Sequence, residues 1–160
     1  MCLLKRILFT LAAVAVLALL ASPASAAGGG HDIKAPASSS SSSGQGLSYL
    51  SYVDATKKAA EENKLVMLFF WADWCRYCVQ IRKEVFSLDK VRETFEKNFV
   101  AVSVDIENDP DNISGRFRPR ALPTMAFVKP NGETIGVLPG AVDADLFLQA
   151  LDAVIAEARK

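Results

Sequence analysis

Cys75 and Cys78, with Arg76 and Tyr77 between them, are the residues of this 160-residue sequence whose spacing points most directly to chemistry. Two thiols so close can open and close one disulfide, bind a soft metal ion or anchor a haem. Haem attachment needs a histidine directly after the second cysteine, and Val79 stands there. A structural zinc site needs four nitrogen or sulfur ligands, and a lone histidine, His31, far from the pair does not complete one. A metallochaperone or interaction module that holds copper(I) is the non-catalytic alternative. Thiol–disulfide exchange is the favoured reading. The thiolate is the attacking species, and Cys-x-x-Cys settings lower a thiol pKa from about 8.5 into a range of about 3.5 to 7.5.

The flanking elements support that reading. Leu65–Trp71 is an apolar run without Gly or Pro, which predicts a strand buried on both faces. The cysteines follow its end. Residues 79–85 are good helix formers, so Cys75 is expected at or just before the first turn of a helix running to about Phe86. Unpaired N–H groups and the positive end of the helix dipole stabilise an anion there. Arg76 adds a positive charge beside the thiolate. Trp74 and Tyr77 are expected on an apolar rim for a partner peptide, while Trp71 is read as core and support. Met67 and Met125 are read as core.

At the N-terminus, Lys5 and Arg6 precede an apolar run from Ile7 to Leu20, and Ala24-Ser25-Ala26 offers a cleavage site. Residues 1–26 therefore read as a secretory signal peptide, cleaved after Ala26, with an uncleaved anchor as the alternative. The run is short for a membrane span. Cleavage removes Cys2 and leaves the Cys75, Cys78 pair, and no integral membrane domain is expected after it. In an exported protein, so tight a pair reads as one reversible disulfide, because a structural staple gains more from a longer loop. Residues 27–46, with Gly28–Gly30 and a serine run from Ser38 to Ser43, read as a flexible linker. His31 lies within it and is expected to be idle. Residues 47–160 form one domain.

The sequence carries 18 Lys and Arg against 18 Asp and Glu; without Lys5 and Arg6, 16 basic side chains remain. That balance offers no electrostatic footprint for nucleic acid or an anionic membrane.

Along the domain, Leu47, Leu50, Val53 and Ala60 recur at helical spacing, which predicts an opening amphipathic helix ending near Asn63. Ser87 is the expected N-cap of a second short helix through Val91 and Phe95. Phe99–Val104 is the next buried strand. Glu107–Asn112 has turn chemistry, and Pro110 argues against a calcium loop. A short helix at Ile113–Phe117 follows. Thr124–Val128 and Thr134–Leu138, joined by Pro130-Asn131-Gly132, predict an antiparallel hairpin. Gly140 breaks the chain before a final helix over 143–160, with Leu146, Leu148, Leu151, Val154 and Ile155 facing inward and Asp143 and Asp145 at its N-terminus. Strands joined through helices run parallel and a hairpin adds antiparallel ones, so the expected fold is α/β, a mixed sheet of four or five strands with helices on both faces.

Trp71-Ala-Asp-Trp-Cys-Arg-Tyr-Cys78, with Leu122-Pro123-Thr124 before a hairpin and Gly140 after it, resembles thioredoxin over roughly residues 50 to 158. Within that superfamily the Ala-Asp-Trp-Cys start and the connection from Val85 to Asp89 are most similar to periplasmic thiol:disulfide interchange proteins, the C-terminal domain of DsbD and SoxW-type thioredoxins. The resemblance implies a thioredoxin fold, a Cys75–Cys78 redox disulfide, a cis bond before Pro123 and substrate contacts from Leu122 and Pro123. It further implies a periplasmic reductase of exported protein disulfides, supplied by an external electron donor. A net oxidase or isomerase using the same residues is the alternative. No cofactor and no metal are expected, and a monomer is. Two departures stand out. Gly-Pro between the cysteines is replaced by Arg76-Tyr77. The buried aspartate of thioredoxin and its lysine partner are replaced by Phe69 and a residue near Ala101, which leaves water, Asp73 or Glu84 to take the Cys78 proton.

Overall fold

A computed structural model describes residues 46–160. The expected signal peptide, nearly all of the expected linker, Cys2 and His31 lie outside the described residues. The elements run β1 (Tyr49–Leu50), α1 (Tyr52–Glu62), β2 (Leu65–Trp71), α2 (Arg76–Glu84), α3 (Asp89–Asn98), β3 (Phe99–Asp105), α4 (Ile113–Phe117), β4 (Thr124–Val128), β5 (Thr134–Pro139) and α5 (Ala144–Ala158).

The five strands form one mixed sheet in the order β1-β3-β2-β4-β5. β1 and β2 flank β3 in parallel, while β4 runs antiparallel to both β2 and β5. β2 is therefore central, and its period-two alternation splits the core in two. Met67 and Phe69 join Ile81, Phe86, Phe95, Phe127, Phe147 and Leu151 on one face, the face that also holds both cysteines. Val66, Leu68 and Phe70 join Ala55, Ala59, Val102 and Ile113 on the other. The mixed sheet with helices on both faces is thus as expected.

The opening helix differs from its expected form. Leu47 is buried but precedes a short edge strand, Leu50 lies in that strand, and Val53 is 70% exposed. The helix begins one residue after Ser51, whose side chain accepts the Asp54 N–H at 3.1 Å and donates to the Asp54 carboxylate at 2.7 Å. That reciprocal cap fixes the start. Ala55 and Ala59, not Leu50, Val53 and Ala60, form the buried face, and the helix stops at Asn63 in the left-handed region. At α3 the cap is Leu88 without a side-chain hydrogen bond, because the Ser87 hydroxyl instead donates back to the Lys83 carbonyl.

In α5, Phe147 is fully buried beside Leu151 and Val154, whereas Leu146 is half exposed. The α5 N-cap is Asp143, which accepts the Leu146 N–H at 2.8 Å. Between β3 and β4, Asp109 accepts the Ser114 N–H. Burial pushes that carboxyl up, but hydrogen bonds from Ser114 and Ile113 outweigh it and hold the group below its ordinary range. It caps a turn, as expected of that loop.

Candidate active site

β2 ends at Trp71 and α2 starts at Arg76, so residues 72–75 have to turn the chain at the C-terminal edge of the sheet. Cys75 N–H closes that turn on the Ala72 carbonyl at 3.0 Å. Cys75 is the N-cap of α2. Its sulfur accepts the Cys78 N–H at 3.1 Å, filling the position a capping oxygen normally takes. A sulfur there faces the unpaired amides of the first turn, the arrangement that stabilises negative charge.

Cys75 and Cys78 are joined by a disulfide, S–S 2.02 Å with their Cα atoms 5.2 Å apart. Their residues are 4% and 1% exposed, so the pair is nearly sealed. Around it the surface is apolar and open: Trp74 is 66% exposed and Tyr77 61%. Arg76 between them is exposed as well. From Tyr77 a groove of about 390 Å³ runs between α2 and the start of α5, floored by Ile81, Val85 and Val142.

The antiparallel pairing of β2 and β4 sets Phe70 opposite Thr124. Pro123, the residue before β4, therefore reaches the same edge of the sheet as the residues that follow β2. The Leu122–Pro123 bond is cis. Leu122 packs against both core clusters, including the one that contains the cysteines. Gly140 sits at φ 82° and donates its N–H to the Pro123 carbonyl at 2.7 Å. That left-handed position is accessible to glycine at no steric cost. Trp71 lies at the end of β2, packed against the core cluster of the cysteines.

Phe69 is fully buried, and the residue beside it on β3 is Ser103, with Ala101 one step further along the same face. No carboxylate or lysine occupies either position. Asp73 and Glu84 are both exposed, and Glu84 accepts a hydrogen bond from Gln80 at 2.9 Å. Among the described residues no three His, Cys, Asp or Glu side chains are grouped so as to hold a metal ion, and no helix is long and apolar enough to cross a membrane.

Two residues that sequence reasoning missed border this site. The Arg82 guanidinium lies over the Trp71 ring, 4.1 Å from its centroid, and 5.0 Å from that of Phe69. Tyr49 stacks on Phe69 with centroids 6.5 Å apart. Burial pushes the Tyr49 phenol up to about 12, against a smaller opposing pull from Arg82. The helical spacing of Cys78 and Arg82 was the signal available in the sequence.

The raised phenol predicts alkaline destabilisation. Between the ordinary tyrosine value near 10 and about 12, the folded chain keeps a proton that the unfolded chain has lost. Stability therefore falls as pH rises through that window, by up to about 1.4 kcal/mol per pH unit. Urea unfolding between pH 9 and 12 checks it, and Tyr49→Phe should flatten the slope across that interval.

Residues 52–155 match the family model described as Thioredoxin-like domain. Thioredoxin-1 of Caenorhabditis elegans is 30% identical over 94 residues, which cover 59% of this chain and 76% of that protein. The thiol:disulfide interchange protein DsbD of Haemophilus influenzae is 34% identical over 101 residues, 60% of this chain but 17% of that much longer protein. A solution structure of a thioredoxin from Thermus thermophilus superposes with a TM-score of 0.62 at 28% identity, covering 69% of this chain and 88% of the other.

Proposed function

The chain belongs to the thioredoxin-like family and is a thiol–disulfide oxidoreductase, and from that premise we propose that it reduces disulfides of exported proteins, working as a monomer outside the cytoplasm. The observation that carries the reading is the Cys75 sulfur at the α2 N-terminus, bonded to Cys78 and ringed by exposed apolar residues. Export is supported by the basic, apolar and small-residue sequence of residues 1–26.

In the reduced chain, Cys75 thiolate attacks one sulfur of a partner disulfide. A mixed disulfide forms and the partner's other sulfur leaves as a thiolate. Cys78 gives its proton to solvent and attacks the Cys75 sulfur, which closes the 75–78 bond and frees the partner's second thiolate. Two electrons pass from chain to partner, and an external dithiol restores them. Trp74, Arg76 and Tyr77 receive the partner peptide on one side, and on the other Leu122 offers it backbone groups while Pro123 contacts it through its ring. Trp71 and Gly140 support the two walls.

A redox titration tests the direction. A midpoint of about −270 to −200 mV, the range of thioredoxins and glutaredoxins, with insulin reduction that survives chelation, supports a reductase. A midpoint of about −180 mV or higher assigns the oxidase or isomerase reading instead. A partner caught as a mixed disulfide by Cys78→Ser identifies the substrate.

A further inference from the structure

Arg82 follows Cys78 by four residues, so the two side chains are neighbours on one face of α2. That face is turned inward, with Cys78 and Ile81 buried on it. The arginine head is held against the Trp71 and Phe69 rings, and Phe69 shares a core cluster with both cysteines. Its Nε is buried without a hydrogen-bond partner, and so is the neighbouring Trp71 Nε1.

Among the described residues no ion pair offsets this charge. The five ion pairs among the described residues are made by other side chains. The groups that face or flank Arg82 are few. Tyr49 of β1 is a neutral phenol. On α2, Lys83 and Glu84 are exposed, and Glu84 is bonded to Gln80. On β3, Asp105 is in register with Trp71 but makes no ion pair with Arg82. A cation partly withdrawn from water without a counter-ion costs free energy, which stacking on two aromatic rings offsets only in part. A negative charge that appears only in one state of the protein would offset the remainder. The adjoining site makes such a charge whenever its disulfide opens.

We propose that Arg82 is a positioning residue for the redox pair, a cation one helical turn beyond Cys78 and fixed by the Trp71 and Phe69 rings, which stabilises the reduced, thiolate-bearing state where thioredoxin instead places a carboxylate at the position of Phe69. The inference rests on the exchange reading above and deepens it. Opening the 75–78 bond takes two electrons from an external dithiol, which itself becomes a disulfide and gives up two protons. One proton passes to the Cys78 sulfur and the other to solvent; the thiolate stays on Cys75 at the α2 N-terminus, where the Arg82 cation further along the same helix adds to the dipole that stabilises it. During resolution the same cation favours loss of the Cys78 proton to water, so no internal carboxylate is required. Stabilising the reduced state makes the pair more oxidising than it would be without Arg82.

The test equilibrates the full chain with glutathione and measures the disulfide fraction for wild type, Arg82→Met, Arg82→Gln and Arg82→Lys. The Met and Gln variants are expected to shift the equilibrium about tenfold toward the disulfide, equivalent to about 30 mV. Both also move the alkylation profile of the thiols to higher pH. Arg82→Lys, which keeps the charge, stays within about threefold of wild type, on the same scale of about 30 mV per tenfold change. In the unaltered chain, the Arg82 Nε–H resonance shifts on reduction of the pair, a readout that needs no variant. The inference is overturned if Met and Gln variants equilibrate as wild type does, if Lys shifts as far as Gln, or if the Nε–H resonance ignores the redox state. Wild type that does not exchange with glutathione at all would overturn the exchange reading itself, and this inference with it.

Discussion

Cys75→Ser loses disulfide reduction by at least about a thousandfold, the order expected when a nucleophile is removed. The attack in this chain depends on a sulfur anion, and a serine hydroxyl in the same place stays protonated at neutral pH. The fold should survive, because serine is a favoured N-cap and its oxygen can take the Cys78 N–H that the Cys75 sulfur now accepts. Insulin reduction falls to background while the circular dichroism and melting temperature stay close to those of the reduced wild type. Cys78→Ser separates the two roles. It leaves Cys75 able to attack, so mixed disulfides form and persist, whereas the Cys75 variant forms none. Equal loss in both variants without trapped adducts would contradict the order of attack.

Phe86→Ala carries the largest expected cost to stability. Phe86 lies just beyond α2 and is fully buried. Its ring meets Phe69 edge-on with centroids 5.3 Å apart and tilts against Phe147 at 5.2 Å. It thereby ties β2, the end of α2 and α5 into one cluster. Truncation leaves a cavity between three elements that cannot all close in, for which about 3 to 5 kcal/mol is the usual loss. At about 4 °C per kcal/mol for a domain of about 115 residues, the melting temperature should fall by about 12 to 20 °C. Calorimetry on the oxidised variant reads it directly. A fall of only a few degrees would mean that the three aromatic rings repack around the gap.

The sequence made the centre of this site legible for local reasons. A continuous apolar run, a pair of thiols at its end and a breaker-free helix after them are all short-range signals, and β2, Cys75 and α2 appear where those signals put them. Signals that depend on the far side of the sheet were harder to read. Leu47 and Leu50 mimic a helical face, yet they serve the β1 edge, and the Ser51–Asp54 cap was the better marker of where α1 begins. In α5 the leucines drew attention from Phe147, whose burial is settled by contacts with Phe86 on a distant element. Pro123 and Gly140 became site residues through resemblance to a family; only the β2–β4 register and the Gly140-to-Pro123 hydrogen bond give that placement a physical basis. Arg82 was read past because a charged residue on a helix usually faces water. The rings of Phe69 and Trp71 hold it inward instead.

The central claim is that the first turn of α2 keeps the Cys75 sulfur ionised near neutral pH, and the rate of iodoacetamide alkylation of reduced protein against pH measures that most directly. The expected profile has its Cys75 inflection well below the free-thiol value of about 8.5, within the range of about 3.5 to 7.5, with Cys78 reacting more slowly throughout. An inflection near 8.5 for Cys75, or faster alkylation of Cys78, would contradict the account.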